Sequence, residues 1–517
     1  MKRRSPVELL FVLLLLLAGL LAGCAAPTAR PDAPALTLQT GDTADVLNRV
    51  TWGVTPALLK QVEAAGLVRY LEQQLHPDAA PLPATVQEQI NAMTISRRSL
   101  EELQHDMERM RKDADAKPSD DEKKSARQAY QQELTRLARE AASRSLLRAL
   151  YSPNQLREQL TWFWMNHFNV YQGKNNLRAM VGDYEERAIR PHALGKFRDL
   201  LAATTQHPAM LRYLDNDRNA LHRQNENYAR ELLELHTLGV NGGYSQRDVQ
   251  ELARVLTGVG VRLGSNNPGL RKELQAFHVR RGLFEFNPAR HDFAAKELLG
   301  HPIRSRGLAE LDEALDRLAR SPATARFICR KLLSYWLTDE PPQPLLQAMV
   351  QTFERSDGDI AKTLEVLFTS PEFSRTEQQK FKDPIRFVVS AVRLAYDEKP
   401  VLNVGPMLNW INRMGEPLYG RATPDGYSLQ SAAWASPGQL STRFEVAKAI
   451  GSGSAGLFRT EGAQAQERAA FPQLANALYY QSIVKTLGPA TLNALQQSAS
   501  PQEWNTFLLS SPEMMRR

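Results

Sequence analysis

Cysteine is scarce in this chain of 517 residues, which carries only Cys24 and Cys329. A chain of this length buries enough apolar surface to fold without disulfides. Cys329 lies in the apolar-periodic stretch RFICRKLLSYWL, a pattern that favours a buried core thiol over a nucleophile. We therefore expect neither a disulfide framework nor a catalytic thiol.

The sequence also lacks the short motifs that mark common catalytic sites. It contains no H-E-x-x-H helix, no C-x-x-C-H haem site, no P-loop and no G-x-S-x-G nucleophile elbow. It has no run of basic residues interleaved with stacking aromatic residues, so nucleic-acid binding is set aside. Ser370 in LFTSPEF and Ser511 in LLSSPEM are expected to cap helices that begin with proline.

The N-terminus joins a basic start, an apolar run and a cysteine. MKRR precedes the run from Leu9 to Leu21, which leads to Ala22, Gly23 and Cys24. The run is short for a transmembrane helix, and the small residues suit peptidase processing. The segment resembles a bacterial lipobox, which predicts a signal peptide over 1–23 and lipidation of Cys24. An uncleaved anchor or an ordinary signal peptide is the alternative.

Lipidation would decide where the mature chain is held, because several acyl chains hold a protein on a bilayer much more firmly than one. Ala25 is not the aspartate associated with inner-membrane retention in enteric bacteria. We therefore expect an outer-membrane lipoprotein that faces the periplasm of the cell envelope. Lipidation of Cys24 would also leave Cys329 without a disulfide partner in the chain.

The charge excess of the chain is modest. Removing residues 1–23 takes three basic residues and one acid from a formal charge of +7, leaving +5. Residues 24–42 are rich in Ala, Pro and Thr without a period, which predicts a flexible tether. A single domain is expected over 43–517.

A charged segment at about 96–151 contains two helical patterns. The first pattern repeats at spacings of three and four residues and consists of Leu100, Leu103, Met107 and Met110. The second has the same spacings and consists of Tyr130, Leu134, Leu137 and Ala141. Between them, Ser119 and Glu122 have the spacing of a capping box. The segment predicts a protruding helical hairpin that buries little beyond its own two helices. Its charges are expected to form a solvated face, with partner binding at the tip as the alternative.

Helical patterns dominate from Pro153 onward, so the fold class is expected to be mainly α, a multi-helical globular body. One exception is FHVRRGLFEF, from Phe277 to Phe286, which alternates apolar and polar residues around Arg281-Gly282. This pattern predicts a short β-hairpin.

Several motifs together resemble one family, the bacterial domain-of-unknown-function 1800 family. They are NRVTWGVTP from Asn48, LEQQL from Leu71, FWMNHF from Phe163, NENYARELLELHTLGVNGGYSQRDVQELARVLTG from Asn225, ARHDFAAKELLG from Ala289, RFICRKLL from Arg326 and GEPLYG from Gly415. The resemblance spans nearly all of the mature chain. It implies a secreted, largely helical protein without an established activity. It also implies a partner, because such proteins are often encoded beside exported proteins of the domain-of-unknown-function 1501 family. The lipobox and the helical hairpin depart from the family pattern.

The long central motif, Arg223 to Gly258, combines acids, bases and amides. If Glu226 to Leu238 is one helix, then Glu226, Arg230 and Glu234 form an acid-base-acid ladder along one ridge. Such a ladder adds little stability when solvated, but it must be fully paired when buried. We expect the ladder to be buried and to join FWMNHF and ARHDF in one polar cluster. Further placements are Asn225 and Ser245 as helix caps, Asp248 completing a capping box with Ser245, and Gly239 as a left-handed helix end.

Histidines near these acids suit a general acid-base pair or a divalent metal ion. The catalytic candidates are His167, Glu226, Arg230, Glu234, His291 and Asp292. The weaker metal candidates are His167, Glu231, Glu234, His236 and His291. Each histidine could instead be a structural one, and Lys296, one turn after Asp292, is placed to pair with that acid.

A long stretch rich in Gly, Pro and Ser, from Gly415 to Phe444, contains Tyr419, Tyr427 and Trp434. Long irregular connections in helical proteins are often functional. The three aromatic rings could stack on sugars, or they could pin the loop to the helical body.

Two classes of function remain. The first is an envelope lipoprotein without catalytic activity that binds or presents a secreted partner, and it is preferred. The alternative is a hydrolase-like enzyme that acts on an envelope or extracellular polymer through a Glu/His/Arg cluster. Convergence of three metal candidates on one open point would favour the enzyme.

Overall fold

Helices form most of the protein. The computed structural model describes residues 42–264, 268–375, 380–459 and 471–517. The signal peptide, Cys24 and the tether up to residue 41 lie outside them, so what the sequence says of these segments stays a prediction. The N-terminal helices are α1 Thr43–Val50, α2 Pro56–Ala65, α3 Leu67–Leu75, α4 Ala84–Ala92, α5 Thr94–Arg97, α6 Leu100–Asp115, α7 Asp120–Tyr151, α8 Gln155–His167, α9 Val181–Asp183, α10 Phe197–Thr205, α11 Pro208–Tyr213, α12 Asn227–Glu231 and α13 Gln246–Val255.

The C-terminal half continues the same architecture. Its helices are α14 Lys272–Gln275, α15 Leu308–Ala319, α16 Pro322–Trp336, α17 Gln343–Arg355, α18 Ile360–Phe368, α19 Pro371–Arg375, α20 Pro384–Tyr396, α21 Gly405–Arg413, α22 Pro437–Gly451, α23 Val484–Thr486, α24 Pro489–Gln496 and α25 Pro501–Ser510. The mainly α fold class is thus confirmed. No helix among the described residues has the length and apolar character needed to cross a membrane.

Local sequence explains many of the helix starts. The Ser370 hydroxyl accepts a hydrogen bond from the Phe373 amide at 3.1 Å, so LFTSPEF begins a helix as predicted. The matching prediction for Ser511 is wrong. Its hydroxyl accepts from the Met514 amide at 3.3 Å, but the chain closes only a turn there and then pairs with another segment through Arg516.

The helical hairpin forms from α6 and α7. Ser119 and Glu122 make the predicted capping box at the start of α7. Leu103, Met107, Leu134 and Leu137 pack between the two helices, and Ala179 from the body packs against them. The expectation that the segment buries little beyond its own helices is wrong for its base, because most residues of α7 from Ala141 to Leu150 are buried in the body.

The predicted β-hairpin is confirmed as β2 Val279–Arg281 and β3 Phe284–Phe286, which pair antiparallel. A third strand, β1 Val259–Val261, pairs with the other edge of β3. A second, two-stranded sheet joins β4 Glu297–Leu298 to β5 His301–Pro302.

Two helices lie at the centre of the core. In α8 every residue but Arg157 is buried, and α20 is buried over almost its whole length. A helix that is enclosed on all sides cannot be read from an amphipathic stripe. The FWMNHF motif ends α8, so His167 lies at the C-terminal end of a fully enclosed helix.

Candidate functional site

The acid-base-acid ladder of the central motif forms only in part. Helix α12 continues into a wider π-helical segment, Leu232–Thr237, which changes the spacing of side chains along the ridge. Glu226 and Arg230 keep their predicted pairing at 3.2 Å. Glu234 lies in the wider segment and accepts instead from the Tyr244 hydroxyl at 3.1 Å.

The expectation that this ladder is buried is wrong. The side chains of Arg230 and Glu226 are 42% and 36% exposed. Leu232 and Leu233 from the same motif are fully buried, so the helix turns its apolar face to the core and its ladder to solvent. Ser245 and Asp248 form the predicted capping box, and Gly239 has a left-handed φ of +83°. The prediction for Asn225 is wrong, because Glu226 is the N-cap of α12 and Asn225 Oδ1 accepts from the Asn227 amide at 3.0 Å one residue earlier in the chain.

His291 and Asp292 lie in a second polar cluster that does not include the ladder. His291 Nδ1 lies 2.7 Å from the Thr257 carbonyl oxygen, and Nε2 lies 3.1 Å from Glu310 Oε1. Both ring nitrogens therefore face oxygen acceptors. Arg254 Nε donates to Asp292 Oδ2 at 2.8 Å. The predicted union of ARHDF with FWMNHF and the ladder in one cluster is therefore wrong.

Lys296 completes this second cluster. Its Nζ donates to Glu310 Oε2 at 2.7 Å and to the backbone carbonyl of Asp292, so it does not pair with the Asp292 carboxylate. Lys296 and Glu310 side chains are 1% and 5% exposed. Burial opposes ionisation of Glu310, but the bonds from His291 and Lys296 outweigh it and hold its pKa below the ordinary value. These contacts tie α15 to the sheet and account for His291 as a structural residue.

His167 and His236 are the two candidates that the fold brings together. Their ring centroids are 6.2 Å apart, and each residue is 1% exposed. His167 Nε2 lies 3.1 Å from the His236 carbonyl oxygen, which can only accept, so Nε2 carries the proton. His167 Nδ1 is then the free acceptor of a neutral ring.

Lys331, on α16, fills that acceptor position. Its Nζ lies 2.9 Å from His167 Nδ1 and therefore donates to it. Burial lowers the pKa of Lys331 to about 8, although the charge of Asp425 opposes this shift. Burial, and then the charge of Lys331, keep the pKa of His167 well below its ordinary value. We call Lys331, His167 and His236 the polar centre.

His236 is the unusual member of the polar centre. Neither of its ring nitrogens has a hydrogen-bond partner among the described residues. Burial lowers its pKa to about 3, so the ring is neutral. Phe168 and Tyr228 pack beside it, with ring centroids at 5.1 and 6.3 Å. A buried imidazole without a hydrogen-bond partner costs folding free energy, so His236 is not explained by its contacts in the fold alone.

Among the described residues, no third potential metal ligand joins His167 and His236. Within the described parts of the chain, no group of three or more His, Cys, Asp or Glu side chains could hold a metal ion. Glu231 and Glu234 lie on the partly exposed side of the central motif, and His291 belongs to the second cluster. Burial, and then the neighbouring Glu234 charge, raise the pKa of Glu231.

A clamp of two asparagines holds the loop from Gly415 to Trp434 against α8. Asn169 Nδ2 donates to the carbonyl oxygens of Arg421 and Thr423 at 2.9 and 2.8 Å. Asn166 forms two hydrogen bonds with the backbone of Tyr427. Its Nδ2 donates to the carbonyl oxygen at 2.9 Å, and its Oδ1 accepts from the amide at 2.6 Å. These contacts place the loop beside FWMNHF.

Close backbone contact explains a glycine in this loop. Gly426 has a φ of +76°, and a Cβ added there would lie 2.1 Å from the Asn166 carbonyl oxygen. The loop can therefore approach α8 this closely only with glycine at position 426.

The polar groups of the three aromatic residues of the loop all form hydrogen bonds. Tyr419 is buried and its hydroxyl donates to Glu185 Oε2 at 2.8 Å. The Tyr427 hydroxyl donates to the Pro417 carbonyl at 2.7 Å, and Trp434 Nε1 donates to the Ser428 carbonyl at 3.0 Å. The Tyr419 bond reaches Glu185 outside the loop and favours pinning to the body for that ring, whereas the Tyr427 and Trp434 bonds close the loop on itself.

The same loop contributes Pro417, Leu418 and Gly420 to the lining of a groove of about 730 Å³. Helices α7 and α21 form its two walls. The lining residues are Thr135, Ala138, Arg139, Ala142, Tyr171, Gln172, Gly173, Arg178, Gly405, Leu408, Asn409, Asn412, Pro417, Leu418 and Gly420. This volume lies within the range of ligand-binding clefts, which is about 300 to 1,000 Å³. We call it the α7/α21 groove.

Sequence reasoning missed both Lys331 and the groove. Lys331 is 164 positions from His167, but it lies one helical turn after the aromatic residue Phe327, which was an available signal. The groove corresponds to a weaker pattern in the sequence. The small residues Ala138 and Ala142 lie beside the apolar stripe that packs the hairpin.

Comparison with known proteins gives one match. A family model described as a protein of unknown function (DUF1800) matches residues 45–516. No curated protein and no solved structure matches the chain. The match spans nearly all the described residues, including the polar centre, the clamp and the groove.

Proposed function

Because this chain belongs to the DUF1800 family, whose description assigns no activity, we propose a function from its own geometry. The protein is an outer-membrane lipoprotein, anchored through Cys24, that binds or presents a secreted partner in the cell envelope. A secreted protein of the domain-of-unknown-function 1501 family is the first partner to test. The sequence MKRR, the apolar run and Leu21-Ala22-Gly23-Cys24 support the anchor.

The observation that carries the binding proposal is the α7/α21 groove. It has the volume of a binding cleft, and it is lined by apolar side chains together with amides and arginines. Its walls belong to two regular helices, so the cleft is formed before a partner arrives. A preformed cleft binds without a large ordering cost.

Photocrosslinking tests this proposal. A photoreactive phenylalanine analogue is placed at Leu408 in the groove, or at exposed Lys124 near the hairpin tip as the control. We expect an exported protein to crosslink from position 408 but not from position 124. Crosslinking should disappear when Asn409→Trp narrows the groove. Equal products from both positions would refute the groove as the binding site.

The anchor is tested separately by fatty-acid labelling. Wild-type cells should incorporate a labelled fatty acid into this protein, and Cys24→Ser should not. The variant should also leave the membrane fraction. Equal labelling of both proteins would contradict the lipoprotein proposal.

The second candidate function is hydrolase-like chemistry on an envelope or extracellular polymer, and the Lys331 contact with His167 favours it. An amine with a pKa near 8 can act as a general base at neutral to mildly alkaline pH. Incubation of purified protein with isolated cell-wall polymer tests this candidate. Soluble fragments should appear with wild type and Lys124→Met, but not with Lys331→Met. If Lys331→Met releases as many fragments as wild type, the polar centre is not catalytic.

A further inference from the structure

We infer that the α7/α21 groove takes an extended peptide segment that carries carboxylates, supplied by the secreted partner. This inference rests on the proposed function and adds the chemistry of the bound segment. Three features of the groove carry it: the shape of its walls, its lack of acidic residues, and its unpaired amides.

The lining residues of the two walls have the same spacing. On α7 the lining residues are Thr135, Ala138, Arg139 and Ala142, and on α21 they are Gly405, Leu408, Asn409 and Asn412. Both sets have the spacing i, i+3, i+4, i+7 of one helical face. At 1.5 Å per residue, each stripe is about 10 Å long. An extended peptide rises about 3.3 Å per residue, so about three residues fit along the walls.

The groove favours an extended chain over a helix. An α-helix with its side chains is about 10 to 12 Å across, which requires a wide trough. Here small residues of α7, Ala138 and Ala142, let a backbone approach that wall closely. A single extended strand uses such room better than a helix does.

The charge of the lining selects for carboxylates. None of the lining residues is acidic, whereas Arg139 and Arg178 are basic. Arg178 bonds only neutral acceptors, the Thr135 hydroxyl at 2.9 Å and the Gln131 carbonyl and amide oxygens. Its Nε is buried and has no partner among the described residues. The positive charge of Arg178 is thus unmatched by a carboxylate in the described structure.

The amides of α21 fit a peptide backbone. Asn409 and Asn412 are exposed on the wall, and neither side chain bonds another described residue. Each amide offers both a donor and an acceptor, which is what a peptide unit requires. A carboxylate segment can therefore pair with Arg178 while its backbone bonds the asparagines.

Fluorescence anisotropy tests the inference on the full mature chain. The probe is a labelled Ser-Glu-Ser-Glu-Ser-Glu peptide, and the matched control replaces each Glu with Gln. We expect the Glu peptide to bind at least about tenfold more tightly, the difference that one charge-assisted hydrogen bond gives. Arg178→Gln and Asn412→Leu should each weaken binding several-fold, and Lys124→Gln should not. Thermal melts confirm that each variant is folded.

Three outcomes would overturn the inference. Equal affinity for the Glu and Gln peptides would exclude carboxylate recognition. Unchanged affinity in Asn409→Trp would place the peptide elsewhere. Displacement of the probe by oligogalacturonate at far lower concentration than by unlabelled peptide would favour an acidic glycan. Photocrosslinking from position 408 separates the two proposals: a crosslinked partner that the Glu peptide does not displace would leave the proposed function intact and refute this inference.

Discussion

Lys331 Nζ donates a hydrogen bond to His167 Nδ1 at 2.9 Å inside the polar centre. No carboxylate of the described residues forms an ion pair with this amine, and burial lowers its pKa to about 8. The folded chain therefore releases the Lys331 proton at a lower pH than the unfolded chain does.

This relationship predicts a pH dependence of stability. Between about pH 8 and pH 10 the unfolded chain holds a proton at Lys331 that the folded chain has lost, so stability due to this residue rises with pH. Wild type should therefore gain stability relative to Lys331→Met over that window. Urea unfolding midpoints at pH 7, 8, 9 and 10 measure the difference. Parallel curves for the two proteins would contradict the lowered pKa.

The exposed ladder predicts a small effect of Arg230→Ala. An ion pair of this exposure contributes about 1 kcal/mol or less. The same substitution at Arg254, whose side chain is 18% exposed and pairs with Glu251 and Asp292, should cost on the order of 3 kcal/mol. Urea unfolding of both variants gives the comparison. If Arg230→Ala lowers the free energy of unfolding by several kcal/mol, the ladder is buried after all and the exposed placement is wrong.

The buried pair of Glu310 and Lys296 predicts a large, acid-sensitive effect of Glu310→Gln. The substitution leaves Lys296 charged without its carboxylate and should cost on the order of 3 to 5 kcal/mol at pH 7. Because the pKa of Glu310 is lowered, its contribution is full above the ordinary carboxyl range and is lost as pH falls through the lowered value. The gap between variant and wild type should therefore narrow between pH 7 and pH 3. An equal gap at both values would contradict this assignment.

The sequence predicted the fold best where structure is local. The hairpin helices, the capping box at Ser119 and the hairpin β2–β3 depend on neighbouring residues, and all three form. Strand β1 was missed because its three residues gain their order only from pairing with β3. The π-helical segment that displaces Glu234 was missed too, because its residues also fit the spacing of an ordinary α-helix.

The candidate site was less predictable, for a different reason. Residue type directed attention to histidines and acids, but burial decides their chemistry, and burial depends on distant segments. His167 meets Lys331 across 164 positions, and Asn169 meets Arg421 across 252. A single sequence contains no measure of such distances.

The asparagine clamp predicts that Asn169→Asp loosens the loop. An aspartate at this position would turn acceptor oxygens toward the carbonyl groups of Arg421 and Thr423, with a cost on the order of 1 to 3 kcal/mol. Hydrogen exchange of peptides that cover residues 419–430 should become faster. Asn493→Asp, at an exposed position of α24, is the matched control and should leave that exchange unchanged. Equal exchange in both variants would show that the clamp does not hold the loop.

The hairpin predicts different outcomes for short and long deletions. Replacing residues 111–126 with a short Gly/Ser linker removes mostly exposed tip residues, and the shortened protein should unfold cooperatively with a similar midpoint. Replacing 100–147 also removes Leu134, Leu137 and the buried base of α7, and it should abolish folding. Circular dichroism during thermal unfolding separates the two. A folded product from the long deletion would show that the buried base of α7 is not needed for folding of the body.

Helix α7 places three different neighbours around one axis: α6 on one side, the body on a second, and the open groove on a third. Successive residues of a helix are rotated by about 100° around its axis. The number of residues in α7 therefore fixes the directions in which its three surfaces face relative to one another. Inserting a single residue after Gln132 would turn the tip relative to the base and move Tyr130 away from the cluster of Leu103, Met107, Leu134 and Leu137. A single substitution in α7 therefore disturbs one of these surfaces, whereas a residue inserted between Gln132 and the buried base disturbs all three together. The exposed tip of α7 can be shortened, but between Gln132 and the base the number of residues is fixed by the three neighbours of the helix.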